Sequence, residues 1–308
     1  MTKSRSTLRE LFNKTTKQEN YNEPTILVDT SYVVYLTAHS TWNWYKKEFD
    51  VENDYSFDPM SSKEYRAAFQ KKFHNSILYT VKNVYSLART PNLKKVIFAL
   101  DAPKTKLWRN DIYPEYKLQR KLKDKTTQMF DYSNVFKQVK DFIIPNFLEQ
   151  YSGSKAIEVP TVEGDDIIAT IVRALPADEE KIIIASDHDF GQLLDVPNLK
   201  IANCQSVELT LESLSQDKPL VEAKYTLTPK EALLKKILMG DVADNIKGVF
   251  PRCGAATACK LILDKNALKE KINSSPEIRK QYDLNRSLVE FNKIPEEIKT
   301  LILETYNG

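Results

Sequence analysis

Two short acidic motifs, Glu163-Gly-Asp165-Asp166 and Asp187-His-Asp189, mark where this chain could do chemistry. The first opens an apolar helix. The second directly follows Ile182-Ile183-Ile184-Ala185, a run that reads as a buried strand. Asp29 and Asp101 each end another hydrophobic run, and Asp241 and Asp244 follow a helix in Gly240-Asp-Val-Ala-Asp-Asn245. The carboxyl ends of strands in an open parallel sheet share one crevice, so carboxylates placed there converge. Two unit charges about 4 Å apart repel by roughly 4 kcal/mol at an effective dielectric near 20. Protons or cations must neutralise such a set. All-oxygen donors without nearby Cys or His favour hard cations, Mg²⁺ first and Mn²⁺ as its substitute.

Each motif alone has a plainer explanation. An aspartate ending a strand commonly caps the next helix, and acidic residues suit a helix N-terminus. That accounts for one or two carboxylates at residues 163–166, but not three. Glu163 and Asp166, three apart, share a helix face. Asp187 and Asp189 both face the crevice if the chain is extended there, which turns His188 away and argues against zinc. His39 and His74 fall on expected helices and read as packing or surface residues.

The elements that must position these groups follow from periodicity. Thr25–Val28, Lys95–Leu100, Ala156–Val159, residues 181–185 and Leu199–Ala202 read as strands. Ser31 is expected to cap a helix starting near Tyr32. A long amphipathic helix runs from Ser61 or Ser62 to about Arg89, apolar at Phe69, Phe73, Ile77, Val81, Val84 and Leu87. Another, near 133–151, is expected to kink at Pro145. Helices follow at 163–174 and 190–194, and from Thr228, which is expected to cap a helix opening on Pro229, the chain is helical. The fold class is α/β, a central mostly parallel sheet flanked by helices, with a C-terminal helical domain.

The chain has 308 residues, 42% hydrophobic and 28% charged, which bounds an ordinary globular protein. No apolar stretch reaches the roughly 18 residues of a membrane span, so no membrane partner is expected. The first 24 residues lack a signal peptide's apolar core. Cys204, Cys253 and Cys259 show neither paired nor zinc-finger spacing, which fits a reducing cytoplasm. Formal charge is +3, yet residues 102–125 hold eight basic side chains against three acidic ones. An acidic crevice beside a basic segment suits a polyanion cut at a metal centre.

Taken in order, the strand ending in Asp29, the strand ending in Asp101, Glu163-x-Asp165-Asp166, Asp187-x-Asp189 and Gly240-Asp241-x-x-Asp244-Asn245-Ile-x-Gly248 resemble the flap endonuclease/5′-nuclease family. The likeness is greatest to its bacteriophage RNase H branch and spans about residues 25–265. The resemblance implies a PIN-like nuclease core at 25–220 with a helical arch at 102–132, preceded by a flexible tail at 1–24. It implies a helical DNA-binding domain at 221–308. It further implies a two-Mg²⁺ site that hydrolyses phosphodiesters in RNA–DNA and DNA duplexes and at 5′ single-stranded flaps. Such activity removes RNA primers in replication, in the host cytoplasm if the gene is a phage's. Asp29, Asp101, Glu163, Asp165 and Asp187 would surround one ion, and Asp189, Asp241 and Asp244 the second. Asp166 would support or bridge them. One ion would generate hydroxide and both would clamp the reacting oxygens.

By the same resemblance, Lys117, in Tyr113-Pro-Glu-Tyr116-Lys117, would supply positive charge to the scissile phosphate, assisted by Arg109 and Arg120. Tyr116 would stack on a base, while Lys121 and Lys123 would hold the single strand. The Gly248–Gly254 link resembles a helix-three-turn-helix that grips duplex backbone and K⁺. Here Phe250-Pro-Arg-Cys253 departs from the usual glycine pattern and Pro251 removes an N–H donor. Duplex contact is therefore assigned to Gly248, Arg252, Gly254 and Lys260, and K⁺ is left open. In the tail, Leu8, Leu11 and Phe12 resemble the short peptides by which replication proteins hold a sliding clamp; a helix docked on its own domain is the alternative. A single-stranded DNA-binding protein is a further expected partner. Three competing readings remain. A PIN-type endoribonuclease usually lacks both the arch and the helical module. An inactive DNA-binding scaffold has no reason to keep the carboxylate repulsion. A haloacid-dehalogenase-like phosphatase wants Asp-x-Asp where this chain has Asp29-Thr-Ser31.

Overall fold

The computed structural model describes residues 24–51, 58–84, 95–103, 107–118, 132–151, 153–204 and 227–308. Leu8, Leu11, Phe12, Arg120, Lys121 and Lys123 lie outside these residues.

Five short strands form one parallel sheet: β1 Thr25–Asp29, β2 Val96–Leu100, β3 Lys155–Glu158, β4 Lys181–Ile184 and β5 Leu199–Ala202, in the order β3-β2-β1-β4-β5. Their unbroken apolar runs are what a sheet covered on both faces requires. Ile26 pairs with Val96 on one side and Ile182 on the other, so the central strands end together. Every expected strand-end carboxylate therefore meets the same rim.

The period-two alternation of side chains sorts the core into two layers. Ile26, Val28, Phe98, Ile182 and Ile184 face helices α1 (Thr30–Phe49) and α2 (Lys63–Val84). On α2, Phe69, Phe73, Ile77 and Val81 are all buried against that face. Leu27, Ile97, Ile157, Ile183 and Ile201 face the opposite way, against α6 (Gly164–Ala174). Between these come a short helix α3 (Arg109–Ile112), then α4 (Tyr132–Gln138), a π-helical turn Val139–Ile143 and α5 (Ile144–Gln150). The irregularity expected at Pro145 takes the form of that π turn. Proline lacks the N–H the α ladder needs, and a widened turn re-registers the hydrogen bonds.

The cap of α1 is a correction. Asp29, not Ser31, holds the helix N-terminus, its Oδ1 accepting from Tyr32 N at 3.0 Å. Ser31 Oγ instead donates to Asp101 Oδ2 at 2.5 Å. The capping oxygen must come from the last extended residue, and the helix begins at Thr30.

The C-terminal part comprises α7 (Pro229–Met239), α8 (Ala255–Leu263), α9 (Lys265–Ile272), α10 (Pro276–Val289) and α11 (Glu296–Asn307). Thr228 caps α7 as expected, in a reciprocal box with Glu231. Helices α7 to α9 share a small core of Leu238, Val249, Phe250, Ala258, Ile262 and Leu268. The segment after α10 does not stay with them. Phe291, Ile294 and Ile302 join the core under α6, and the Tyr306 ring lies 5.6 Å from Lys95 Nζ and 5.7 Å from Lys155 Nζ. Helix α11 thus closes the α/β layer rather than extending a separate domain.

Candidate active site

The rim at the carboxyl ends of the strands collects Asp29 from β1, Asp101 after β2, Glu163 and Asp165 at the start of α6, and Asp187 after β4. Asp101 Oδ1 accepts from Gly164 N at 2.7 Å, locking β2 to α6. A Cβ on residue 164 would lie 3.2 Å from that same Oδ1 and 3.4 Å from Ala99 O. The glycine of the acidic motif is there for close approach. Asp187 caps the 3-10 turn His188–Leu193, accepting from Asp189 N at 2.8 Å.

Crowding shows in the proton affinities. Burial, reinforced by Asp101, raises the Asp29 carboxyl to about 7. Burial, then Asp187 and Asp29, push Asp165 well above the carboxylate range, and burial raises Asp189. Desolvation and like charges favour the neutral form of an acid.

The helical part completes the crevice. A cavity of about 240 Å³ is lined by Asp165, Asp187, His188 and Asp189 from the core, and by Lys236, Asp241 and Asp244 from across it. Lys117 sits between, with Nζ 2.5 Å from Glu163 Oε1 and 3.8 Å from Asp244 Oδ2. Its φ of 55° lies in the left-handed region, and its N–H donates to Asp244 O at 3.0 Å. Strained backbone of this kind persists only where surrounding bonds impose it. Despite burial, Lys117 and Arg109 hold Glu163 below its usual range. Lys236 Nζ contacts Asp189 Oδ1 and lies 3.0 Å from Asp241 Oδ2.

Three assignments change. Arg109 is 3% exposed. Its guanidinium pairs with both oxygens of Asp166 at 2.7 and 2.8 Å, with Glu163 Oε2 at 2.9 Å and with Leu288 O at 2.8 Å. Four of its five N–H donors are engaged and the group is buried, so it offers no face to a phosphate. Asp166, fully buried, also accepts from Trp108 Nε1 at 2.8 Å and does not line the crevice; it supports Glu163 through Arg109 and does not bridge ions. Tyr116 is 4% exposed and donates to Glu163 Oε2 at 3.1 Å, so its ring faces protein, not a base.

At the other end, a Cβ on Gly248 would meet Met239 O at 2.9 Å, so this glycine serves the close packing of the turn on α7. Arg252, with φ of 57°, and Lys260 are exposed, and open space surrounds Gly254 at the start of α8. None of these four lines the crevice. Sequence reasoning missed Lys236 and Trp108. The only linear signals were a lysine in the last turn before Gly240-Asp241 and an indole beside Arg109.

A family model described as 5′-3′ exonuclease, N-terminal resolvase-like domain, matches residues 25–226. The chain belongs to this 5′-3′ exonuclease family. A 5′-3′ exonuclease of Buchnera aphidicola subsp. Schizaphis graminum is 31% identical over 207 residues, covering 65% of this chain and 64% of the relative, just under two thirds of its length. Ribonuclease H of Enterobacteria phage T4 is 28% identical over 252 residues, covering 76% of this chain and 75% of that protein. The crystal structure of the bacteriophage T5 flap endonuclease in a pseudo-enzyme-product complex with DNA and metal ions shares the fold. Its TM-score is 0.57 at 18% identity, over 92% of this chain and 99% of that one. Within this chain, the family match takes in all five strands and every carboxylate through Asp189, while Asp241 and Asp244 lie beyond it.

The donor set fits a hard divalent cation by its chemistry, since carboxylates dominate the lining, beside one phenol and one exposed imidazole and with no thiol. Among the described residues, no three His, Cys, Asp or Glu side chains close into a metal-ligating group. Five of the carboxylates hold a donor instead: Asp101 the Gly164 amide, Asp187 that of Asp189, Glu163 Lys117, and Asp189 and Asp241 Lys236. Among the described residues, no helix is long and apolar enough to cross a membrane.

Proposed function

We infer that this protein is a divalent-metal-dependent 5′ nuclease. It hydrolyses phosphodiesters near the 5′ ends of RNA–DNA and DNA duplexes and at 5′ flaps, and removes RNA primers during replication. The observation that carries the reading is the convergence of carboxylates from three strand ends and the start of α6 on one rim, faced across the crevice by those of the turn after α7. The names of the relatives, a 5′-3′ exonuclease and a ribonuclease H, agree with it, as does the DNA and metal held by the T5 structure.

Asp29, Asp101, Asp165 and Asp187 would hold one ion, and Asp189, Asp241 and Asp244 the second. Bound there, Mg²⁺ or Mn²⁺ would supply an acidified water and positive charge beside the phosphate. Lys117 keeps an ammonium at the crevice, pinned by its backbone to Asp244 and by its side chain to Glu163. Arg109 orients Glu163 from behind, and the buried Arg109–Asp166 pair keeps water from that flank. The exposed Arg252 and Lys260 suit duplex backbone.

Flap and RNA–DNA duplex substrates labelled at the 5′ or the 3′ end, with and without Mg²⁺, test the reading. Short 5′-labelled products and release from 5′ flaps only with Mg²⁺ or Mn²⁺ are expected. Cleavage that survives chelation, or that starts from 3′ ends, refutes it.

A further inference from the structure

Two ammonium groups are built into the crevice, and they divide its carboxylates unevenly. Lys117 serves Glu163 and Asp244. Lys236 bridges Asp189 of the α/β core and Asp241 of the helical part. Among the described residues, no lysine or arginine forms an ion pair with Asp29, Asp101, Asp165 or Asp187. Among the described residues, then, one half of the site has no cation paired to it, and the other is bridged by one.

The fold enforces this division. Lys236 stands on the last turn of α7, which ends at Gly240 with φ of 75°. A Cβ on residue 240 would come within 2.4 Å of Ile246 O. Asp241 and Ile246 exchange two backbone hydrogen bonds, of 2.9 and 2.7 Å. Helix end and carboxylate thus form one tight hairpin aimed at Asp189. Asp241 Oδ1 accepts from Ala243 N at 2.8 Å and Asp244 N at 3.3 Å, which leaves Oδ2 to the lysine. The Lys236 side chain is only 24% exposed. An ammonium and a divalent ion repel each other strongly at such range, so both cannot share one carboxylate pair. Lysine is a point charge on a flexible stem, able to leave its carboxylates for another anion.

We propose that Lys236 is the resident counter-ion of the Asp189–Asp241 half, and that a divalent ion enters that half only after a substrate phosphodiester has drawn the ammonium away. The inference rests on the metal-dependent reading above. Ions then load in order: the first at Asp29, Asp101, Asp165 and Asp187, the second with the substrate. A crevice incomplete until nucleic acid is seated withholds cleavage from misplaced strands.

Mn²⁺ binding to the full chain, followed by calorimetry and by the spin signal of free Mn²⁺, tests this without any turnover. The wild type should bind one ion tightly and a second at least roughly tenfold more weakly. Adding the cleaved duplex product, with its 5′ phosphate, should narrow that gap. Lys236→Met should narrow it equally with no DNA present, while Lys236→Arg should keep it. Unchanged affinity for the first ion reports that each variant is folded. Two equal ions on the wild type, or a second-ion affinity that neither Lys236→Met nor product strengthens, overturns the inference and leaves metal dependence standing. No Mn²⁺ bound at all overturns both.

Discussion

Arg109 shows how a residue type can suggest one role and its surroundings impose another. An arginine in a basic segment beside a phosphate-cutting crevice reads as a phosphate ligand. Its partner Asp166 lies 57 residues away, beyond any linear signal. Removing one member of a buried ion pair strands the other, typically at a cost of roughly 3–5 kcal/mol, whereas replacing both by apolar groups can be nearly neutral. Arg109→Met should therefore lower unfolding stability in urea by that order. Asp166→Leu combined with it should recover most of the loss while leaving Glu163 without its backing, so activity stays low. Equal stability for Arg109→Met and wild type would return Arg109 to solvent and to the phosphate. Lys117 is the contrasting case, with its ammonium at the crevice. Lys117→Ala should slow the single-turnover step by roughly 100-fold, as loss of a donor to developing charge does. Its effect on substrate affinity should be smaller, and a change confined to affinity would make it a steering residue.

At the scale of elements, the strands and the acidic rim were legible because each is written locally. A buried parallel strand is an unbroken apolar run, and the aspartate that follows it lies on the rim whatever the rest of the chain does. The sheet order, the Lys236 bridge to Asp189 across 47 residues, and the return of α11 to the core were not legible, because contacts distant along the chain decide them. Gly164 falls between the two cases. Its presence in the motif was visible, but the reason for it, the 2.7 Å hydrogen bond to Asp101, needs the partner strand. Gly164→Ala places a Cβ against Asp101 Oδ1 and Ala99 O. The start of α6, carrying Glu163 and Asp165, must shift by a few tenths of an ångström. Cleavage should fall at least tenfold, since small misplacements at a reacting centre are costly, while the melting temperature changes little. A large loss of stability with cleavage retained per folded molecule would assign the glycine to packing alone.

For the whole molecule, the crevice sets a conflict between stability and charge that pH should expose. The folded Asp29 carboxyl titrates at about 7 against an ordinary value of 3.8, chiefly through burial and then through Asp101, and Asp165 shifts the same way. Between about 4 and 7 the folded chain therefore holds more protons than the unfolded one, so its stability falls as pH rises across that window and stays low above it. Glu163 pulls the other way: held low by Lys117 and Arg109, it contributes stability near neutrality that is lost in acid. In chelator, stability should thus peak in mildly acidic solution and decline toward pH 8. A cation that binds only the folded state at 100 times its dissociation constant adds about 2.7 kcal/mol. Saturating Mg²⁺ should consequently remove most of the decline above neutrality and leave the acid limb untouched, because protonated carboxylates no longer attract it. Asp29→Asn should flatten the decline in chelator by itself. Urea midpoints measured from mildly acidic to mildly alkaline pH, with chelator or Mg²⁺, decide the matter. A profile that rises steadily to pH 8 in chelator would mean that the carboxylates are not crowded and that the crevice has no charge for a metal to neutralise.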